Sequence, residues 1–409
     1  MSLKAATWTP SIATSGTDKS VEQVRQLVPC GGNMYAVGLF SALKKGSTTY
    51  QRNNVASFSA TTGAMTSWAP NVNGRVDTIA FNGSDCSSAY IGGVFTTVSG
   101  SAARNIARVS TTTGAVDQSF LHTMSGRVTH MEVMKGHLLV GGYFAGYLKS
   151  LSPATGLPDG YAMPVISGNY QFPGVGSNPT RIWNMTPSPN GSAVLMMGDF
   201  TSVGGKPRRQ IFRLNLGTTA TVSNWYSDGN PLDPKYKDGF NEDCATVEPF
   251  WLQDAAWSPD MSKIYVATTG YKPWDSSRTA PRTELCDAAA AFSSLETDVD
   301  PLWINYTGCD SLFSVAADAT TVYVGGHERW ANNPLGCDAK GPGAIVAPGM
   351  VGLSPVNGSV VWNPGRGRGL GADDMVVTGA GLWIGSDNLN NTSSCAGSSA
   401  RAGICFVPN

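Results

Sequence analysis

The residues best suited to chemistry collect late in the chain, in the stretches VGGHERWANNP (324–334), WNPGRGRGLGADD (362–374) and LWIGSDN (382–388). They bring His327, Arg329, Trp330, Asn332, Asn333, Arg366, Arg368 and Asp387, with Tyr271 and Trp274 shortly upstream. A saccharide site needs an aromatic face for the C–H surface of the sugar and planar amide, carboxylate or guanidinium groups for its hydroxyls. Trp330, Tyr271 and Trp274 supply the first, and Asn333, Arg329 and Asp387 the second. A hydrolase or lyase instead needs a general acid and a base, or a metal, and here the candidates are His327, Glu328, Asp373 and Asp387. Neither a catalytic residue nor a metal site is assigned. The expected function is non-catalytic, lectin-like recognition of a glycan or cell-surface polysaccharide. A polysaccharide-active hydrolase or lyase is one alternative, and a protein-interaction scaffold or targeting subunit of a secreted assembly or toxin is another. A purely structural role stands beside these, in which Arg366 and Arg368 pin glycine-rich loops and Trp330 plugs a channel mouth.

Whether those stretches meet depends on the elements that carry them. The segment from Tyr90 to Phe120 reads as strands at 90–94 and 106–109 and an outer strand at 115–120, with an inner strand at 76–81 just upstream. The end of its second strand, IGGVF, recurs as AVGLF, VGGYF, MMGDF, VATTGY, VGGHE and WIGSD, centred on Gly38, Gly93, Gly142, Gly198, Thr268, Gly326 and Ser386. Radial repetition of four-stranded units follows, since one such unit cannot bury its own apolar face. The expected fold is all-β, a seven-bladed β-propeller with four-stranded blades forming one domain over 1–409. An aromatic residue marks each outer strand at Trp68, Phe120, Tyr161, Trp225, Trp303 and Trp362, and the seventh of the series is Trp8 at the N-terminus. That offset predicts a ring in which residues near Trp8 complete the last blade beside 404–407. On this strand order the three candidate stretches fall on one face, around one edge of the central opening.

Charged residues make up only 14% of the chain and the formal charge is −1, which gives no general attraction to nucleic acid or an anionic membrane. No apolar run reaches the roughly 18 residues of a spanning helix, so membrane insertion is not expected. MSLKAATWTP has no apolar centre and does not read as a signal peptide; it looks like a start placed after a removed leader or domain. Eight cysteines without a C-x-x-C motif point to disulfides and a secreted protein. Aligning the repeats pairs Cys244 with Cys286 and Cys309 with Cys337 on one face, Cys30 with Cys86 across adjacent units on the other, and Cys395 with Cys405 locally.

The remaining candidates favour structural roles. His122, His130 and His137 sit on or beside strands without acidic partners at metal-ligand spacing. Lys44, Lys45 and Arg52 read as a solvated loop, and Tyr170 and Phe172 as side chains tucked under a loop, with a binding rim as the alternative. Asp228, Asp233, Asp238, Asn241, Glu242 and Asp243 are oxygen ligands of the kind calcium takes, but Leu232 breaks the EF-hand pattern and an acidic surface loop is preferred; no cofactor is expected beyond that calcium alternative.

The GGxF-like turn, the segment R-x-x-A-R-x-x-x-x-T-G at 104–114 and the motifs GGHERWANNP, WNPGRGRG and GLWIGSD together resemble the delta-sixty repeat β-propellers of secreted actinobacterial proteins. The resemblance implies a seven-bladed extracellular propeller, often joined to other modules, and supplies no catalytic residue. Units five to seven depart from the GGxF turn, with Thr268-Thr269, His327 and Asp387 in its place.

Overall fold

The computed structural model describes all 409 residues except 14–21, 173–175, 229–238, 242–243, 245–248, 273–283, 296–298, 366, 368–370, 388–393, 397–398 and 401–402. Among the described residues the regular elements are strands, apart from one short 3-10 turn at Gly239–Asn241. Among the described residues, no helix is long and apolar enough to cross a membrane.

Seven antiparallel sheets share one plan. Their first strands are Gln23–Cys30, Val76–Asn82, Arg127–Met134, Arg181–Pro187, Trp251–Trp257, Leu312–Ala317 and Ala372–Thr378. Each is followed by a hairpin to a second strand and a longer connection to a third, and sheets four to six add a fourth. The expected outer strands of sheets one to three shrink to single bridges, Phe58 with Met65, Val109 with Val116 and Leu151 with Pro158. In sheet two the cause is Asp117: its Oδ1 accepts the Ser119 amide at 2.8 Å, curling the chain into a turn right after the bridge.

The GGxF-like marker has a steric cause. A Cβ on Gly38, Gly93, Gly142 or Gly198 would lie 2.0 to 2.1 Å from the carbonyl oxygen of Gln23, Arg75, Arg127 or Arg181, at the start of the first strand. Only glycine lets the two backbones approach so closely.

The core lies between sheets. Each of seven buried clusters joins the facing sides of two consecutive sheets, and the last unites Val24, Met34 and Phe58 of sheet one with Trp383 and Phe406 of sheet seven. First strands of successive sheets lie side by side, and that of sheet seven lies against that of sheet one. The marker tryptophans stitch neighbours together: the indole N–H of Trp68 donates to Ser110 O at 3.0 Å, that of Trp225 to Ser293 O at 2.8 Å and that of Trp303 to Pro355 O at 3.3 Å. The N-terminal segment runs along the last strand, Ile404–Pro408, where Ser2 N donates to Pro408 O at 2.7 Å and Ala6 N to Phe406 O at 2.8 Å. Trp8 packs on Phe406 at 5.4 Å and Trp383 at 5.8 Å. These residues form no regular strand, but they fill the outer edge of sheet seven. Lys45 is not a solvated loop residue: its Nζ donates to Trp8 O and to Thr62 O, holding this segment in place.

All four disulfides join the cysteines paired by the repeat alignment: Cys30–Cys86, Cys244–Cys286, Cys309–Cys337 and Cys395–Cys405. They suggest an oxidising environment.

Candidate functional site

Every first strand carries a β-bulge near its start, at Arg25, Asp77, Thr129, Trp183, Gln253, Phe313 and Asp373. A bulge bends the strand and re-aims a side chain. All seven bulged residues line one cavity of about 300 Å³. At five of the seven strands the residue after the bulge ties one sheet to another. Gln26 Oε1 accepts Ile79 N at 2.7 Å, Thr78 Oγ1 accepts Met131 N at 3.1 Å, and Asn184 Nδ2 donates to Asp254 Oδ1 at 2.7 Å. Asp254 Oδ2 accepts Val315 N at 2.9 Å, and Asp374 Oδ2 reaches back to sheet one, accepting Leu27 N at 2.6 Å.

The two walls differ in charge. On one side Asp77, almost fully buried, pairs with three arginines: Arg127 at 2.9 Å, Arg75 at 3.0 Å and Arg25 at 3.7 Å. Arg181 pairs with buried Asp199 at 2.6 Å and lies over the rings of Tyr143 at 4.8 Å and Trp183 at 5.3 Å. Burial lowers the pKa of Arg75 and Arg181 and pushes Asp199 up to about 6 against the pull of Arg181. On the other side stand Asp254, Asp373 and Asp374. Burial pushes Asp254 and Asp374 each up to about 7, opposed by the main-chain N–H groups they accept; the Asp254 charge adds to the rise at Asp374 and His130 subtracts from it. Gln23, with its amide turned to suit both neighbours, accepts from Arg25 at 2.9 Å and donates to Asp373 at 3.2 Å where the walls meet.

Of the residues singled out from sequence as ligand-binding, none of those described lines this cavity; of the catalytic candidates, Asp373 does. His327 packs edge-on against the cavity-lining Phe313, with ring centres 4.8 Å apart, and Asp387 forms a backbone bridge with Gln23. Arg329 ties its loop to the connection that precedes strand Leu312–Ala317, and Asn333 is engaged within the loop. Arg329 donates to Asp310 Oδ2 at 2.8 Å and Oδ1 at 2.9 Å and also pairs with Asp338, contacts that raise its pKa further. Asn333 is fully buried, its Oδ1 accepting Gly341 N at 2.8 Å and its Nδ2 donating to Ala339 O at 3.2 Å. Asn332 is exposed, with φ of 52° and Nδ2 donating to Gly343 O at 3.1 Å. Trp330 sits in a two-residue strand paired with Ile345–Val346, and Tyr271 lines a separate groove beside 335–342. Trp274, Arg366 and Arg368 lie outside the described residues, as do Asp233, Asp238, Glu242 and Asp243. Of the catalytic candidates, Glu328 is fully buried. Among the described residues, no group of three or more His, Cys, Asp or Glu could hold a metal ion. Of the other histidines, His137 meets Asp159 at 2.6 Å and stacks on Tyr161, His122 Nδ1 is 2.9 Å from Phe120 O, and His130 lines the cavity 3.1 Å from Glu132. Tyr170 is buried, as the tucked-under reading expected.

Sequence reasoning passed over Arg25, Asp77, Arg127, Arg181 and Trp183. A signal existed in the repeated Gly-Arg-Val of 74–76 and 126–128. A Cβ at Gly74 or Gly126 would lie 2.1 or 1.9 Å from a carbonyl oxygen of the next loop, so glycine admits the close turn that delivers the arginine.

A family model described as "Domain of unknown function (DUF5122) beta-propeller" matches residues 90–120. No curated protein matches the chain by sequence. Among solved structures, "Structure of U3-55K" is similar with a TM-score of 0.53 at 9% identity, over 99% of this chain and 100% of that one. "Crystal structure of RRP9 WD40 repeats" gives 0.46 at 10% identity over 99% and 98%, and "The crystal structure of BamB from Moraxella catarrhalis" 0.42 at 12% over 97% and 96%. At such identities the likeness concerns the fold alone: the protein is an all-β chain of β-propeller type.

Proposed function

We propose that this is a secreted, non-catalytic recognition domain that binds a saccharide in the central cavity. The chain over 1–409 is a single seven-bladed ring closed between sheets seven and one, with the N-terminal segment as the outer edge of the last blade, in the manner of the delta-sixty repeat propellers. The packing of Trp383 and Phe406 on sheet one and the hydrogen bond from Leu27 N to Asp374 support the closure. The observation that carries the function is the convergence of seven bulged strands on one cavity with aromatic walls and polar groups of both signs. Pockets of this size, with a few fixed polar groups among aromatic side chains, suit small ligands. Tyr271, His327, Trp330, Asn332 and Asp387 form an outer rim on the same face, and Arg329 and Asn333 hold that rim in shape. A glycan array run beside a hydrolysis assay on the same polysaccharides is the test. Binding without turnover, lost in Trp183→Ala, is the expected result. Turnover abolished by Asp374→Asn would make the protein an enzyme, and silence in both assays with a defined protein ligand recovered would make it a scaffold.

A further inference from the structure

Resting on the saccharide reading, we propose that the ligand of the central cavity is an anionic saccharide residue. Its carboxylate or sulfate group docks on Arg25, Arg127 and Arg181, and its hydroxyls donate to the carboxylates of the opposite wall. The basic wall holds more cations than it neutralises: among the described residues, four guanidinium groups, Arg25, Arg75, Arg127 and Arg181, share two carboxylates, Asp77 and Asp199. Arg127 spends Nε and Nη2 on Asp77, at 2.9 and 3.0 Å, and among the described residues its Nη1 meets no acceptor. Like charges held this close are relieved by an incoming anion, and a planar guanidinium binds carboxylate and sulfate oxygens through paired N–H groups.

Two further features select a sugar over a bare inorganic anion. Tyr143 and Trp183 flank Arg181 and offer apolar ring faces. Trp183 also stands at the bulge of its strand, where it lines the cavity itself. Across the cavity, Asp254, Asp373 and Asp374 accept hydrogen bonds and cannot attract a second anion. A ligand with its negative charge at one end and hydroxyls at the other matches both walls.

Titration calorimetry with a galacturonate trisaccharide, a sulfated galactose trisaccharide and neutral galactotriose tests this. At least one anionic trisaccharide is expected to bind about tenfold or more tighter than the neutral one at low salt. That advantage should shrink as salt is raised, and Arg127→Gln or Arg181→Gln should remove it. Arg25→Gln, at the longest ion pair, serves as a second variant should either of those fail to fold. Equal binding of neutral and anionic sugars, abolished by Trp183→Ala, overturns the charge inference and leaves the saccharide reading standing. Silence with all three sugars and across the glycan array overturns both. Binding of an aspartate-rich peptide in place of the sugars overturns both in favour of an acidic protein segment.

Discussion

Two arginine sites on one face of the molecule behave in opposite ways. In the loop after Gly326, Arg329 pairs with two carboxylates, Asp310 and Asp338. In the centre, Arg25, Arg75 and Arg127 share the single carboxylate of Asp77. A guanidinium with surplus carboxylates is a finished piece of structure that fixes its loop. Guanidinium groups that outnumber their carboxylates retain attraction for a further anion. The residue type is the same in both places, and the local ratio of charges separates scaffold from site.

The sharpest way to break this contrast is to remove the shared carboxylate. Asp77→Ala leaves three crowded guanidinium groups without their counter-charge and should cost about 3–5 kcal/mol in chemical denaturation. Asp310→Ala should cost less, about 1–2 kcal/mol, because Arg329 keeps Asp338 and contact with solvent. Equal losses would erase the distinction. Next come the braces of the rim: replacing Cys244 and Cys286 by serine opens a disulfide spanning 42 residues and should cost about 4 kcal/mol on the chain-entropy view. Ligand affinity in the centre should nonetheless stay within about twofold, since no ligand contact is lost. A tenfold loss would return the site to the rim.

A third test uses pH. Folding raises Asp254 and Asp374 from an unfolded value near 3.8 to about 7. Their contribution to stability is therefore complete below about pH 4 and is lost as pH rises through about 7. The denaturation midpoint should fall across that window, and Asp254→Asn should flatten the fall; an unchanged slope in the variant would show that this carboxyl does not titrate there. The smallest effect is expected at Lys44, exposed on the hairpin 42–51 that lies between the second and third strands of sheet one and outside it. Lys44→Ala should change stability by less than about 0.5 kcal/mol and leave ligand binding unaltered.

The repeat plan and the four disulfides were legible because both depend on period. Glycine at the end of the second strand answers a backbone contact made in unit after unit, and the alignment it provides brings the cysteines of neighbouring loops together. Trp8 pointed the N-terminal segment toward the last strand, but the strand expected there does not form: the segment runs irregularly beside Ile404–Pro408, and Ser11–Ile12 pairs with Leu43 and Lys44 instead. The cavity was not. Arg25, Asp77 and Trp183 stand at equivalent places but share no chemistry, so no motif repeats at the bulge itself, and the Gly-Arg-Val of 74–76 and 126–128 marks only two of the seven strands. The rim motifs, by contrast, were conspicuous for their Trp, Arg and Asn. At Arg329 and Asn333 those residues serve the loop itself, because a long glycine-rich loop needs side chains to satisfy its backbone.

The most direct measurement is a matched pair of titrations with the strongest ligand from the array, comparing Arg127→Gln in the centre with Arg329→Gln at the rim. Affinity should fall about tenfold or more in the first variant and stay near the parent value in the second. Full affinity in Arg127→Gln together with a comparable loss in Arg329→Gln would contradict the central site and place recognition on the rim loops.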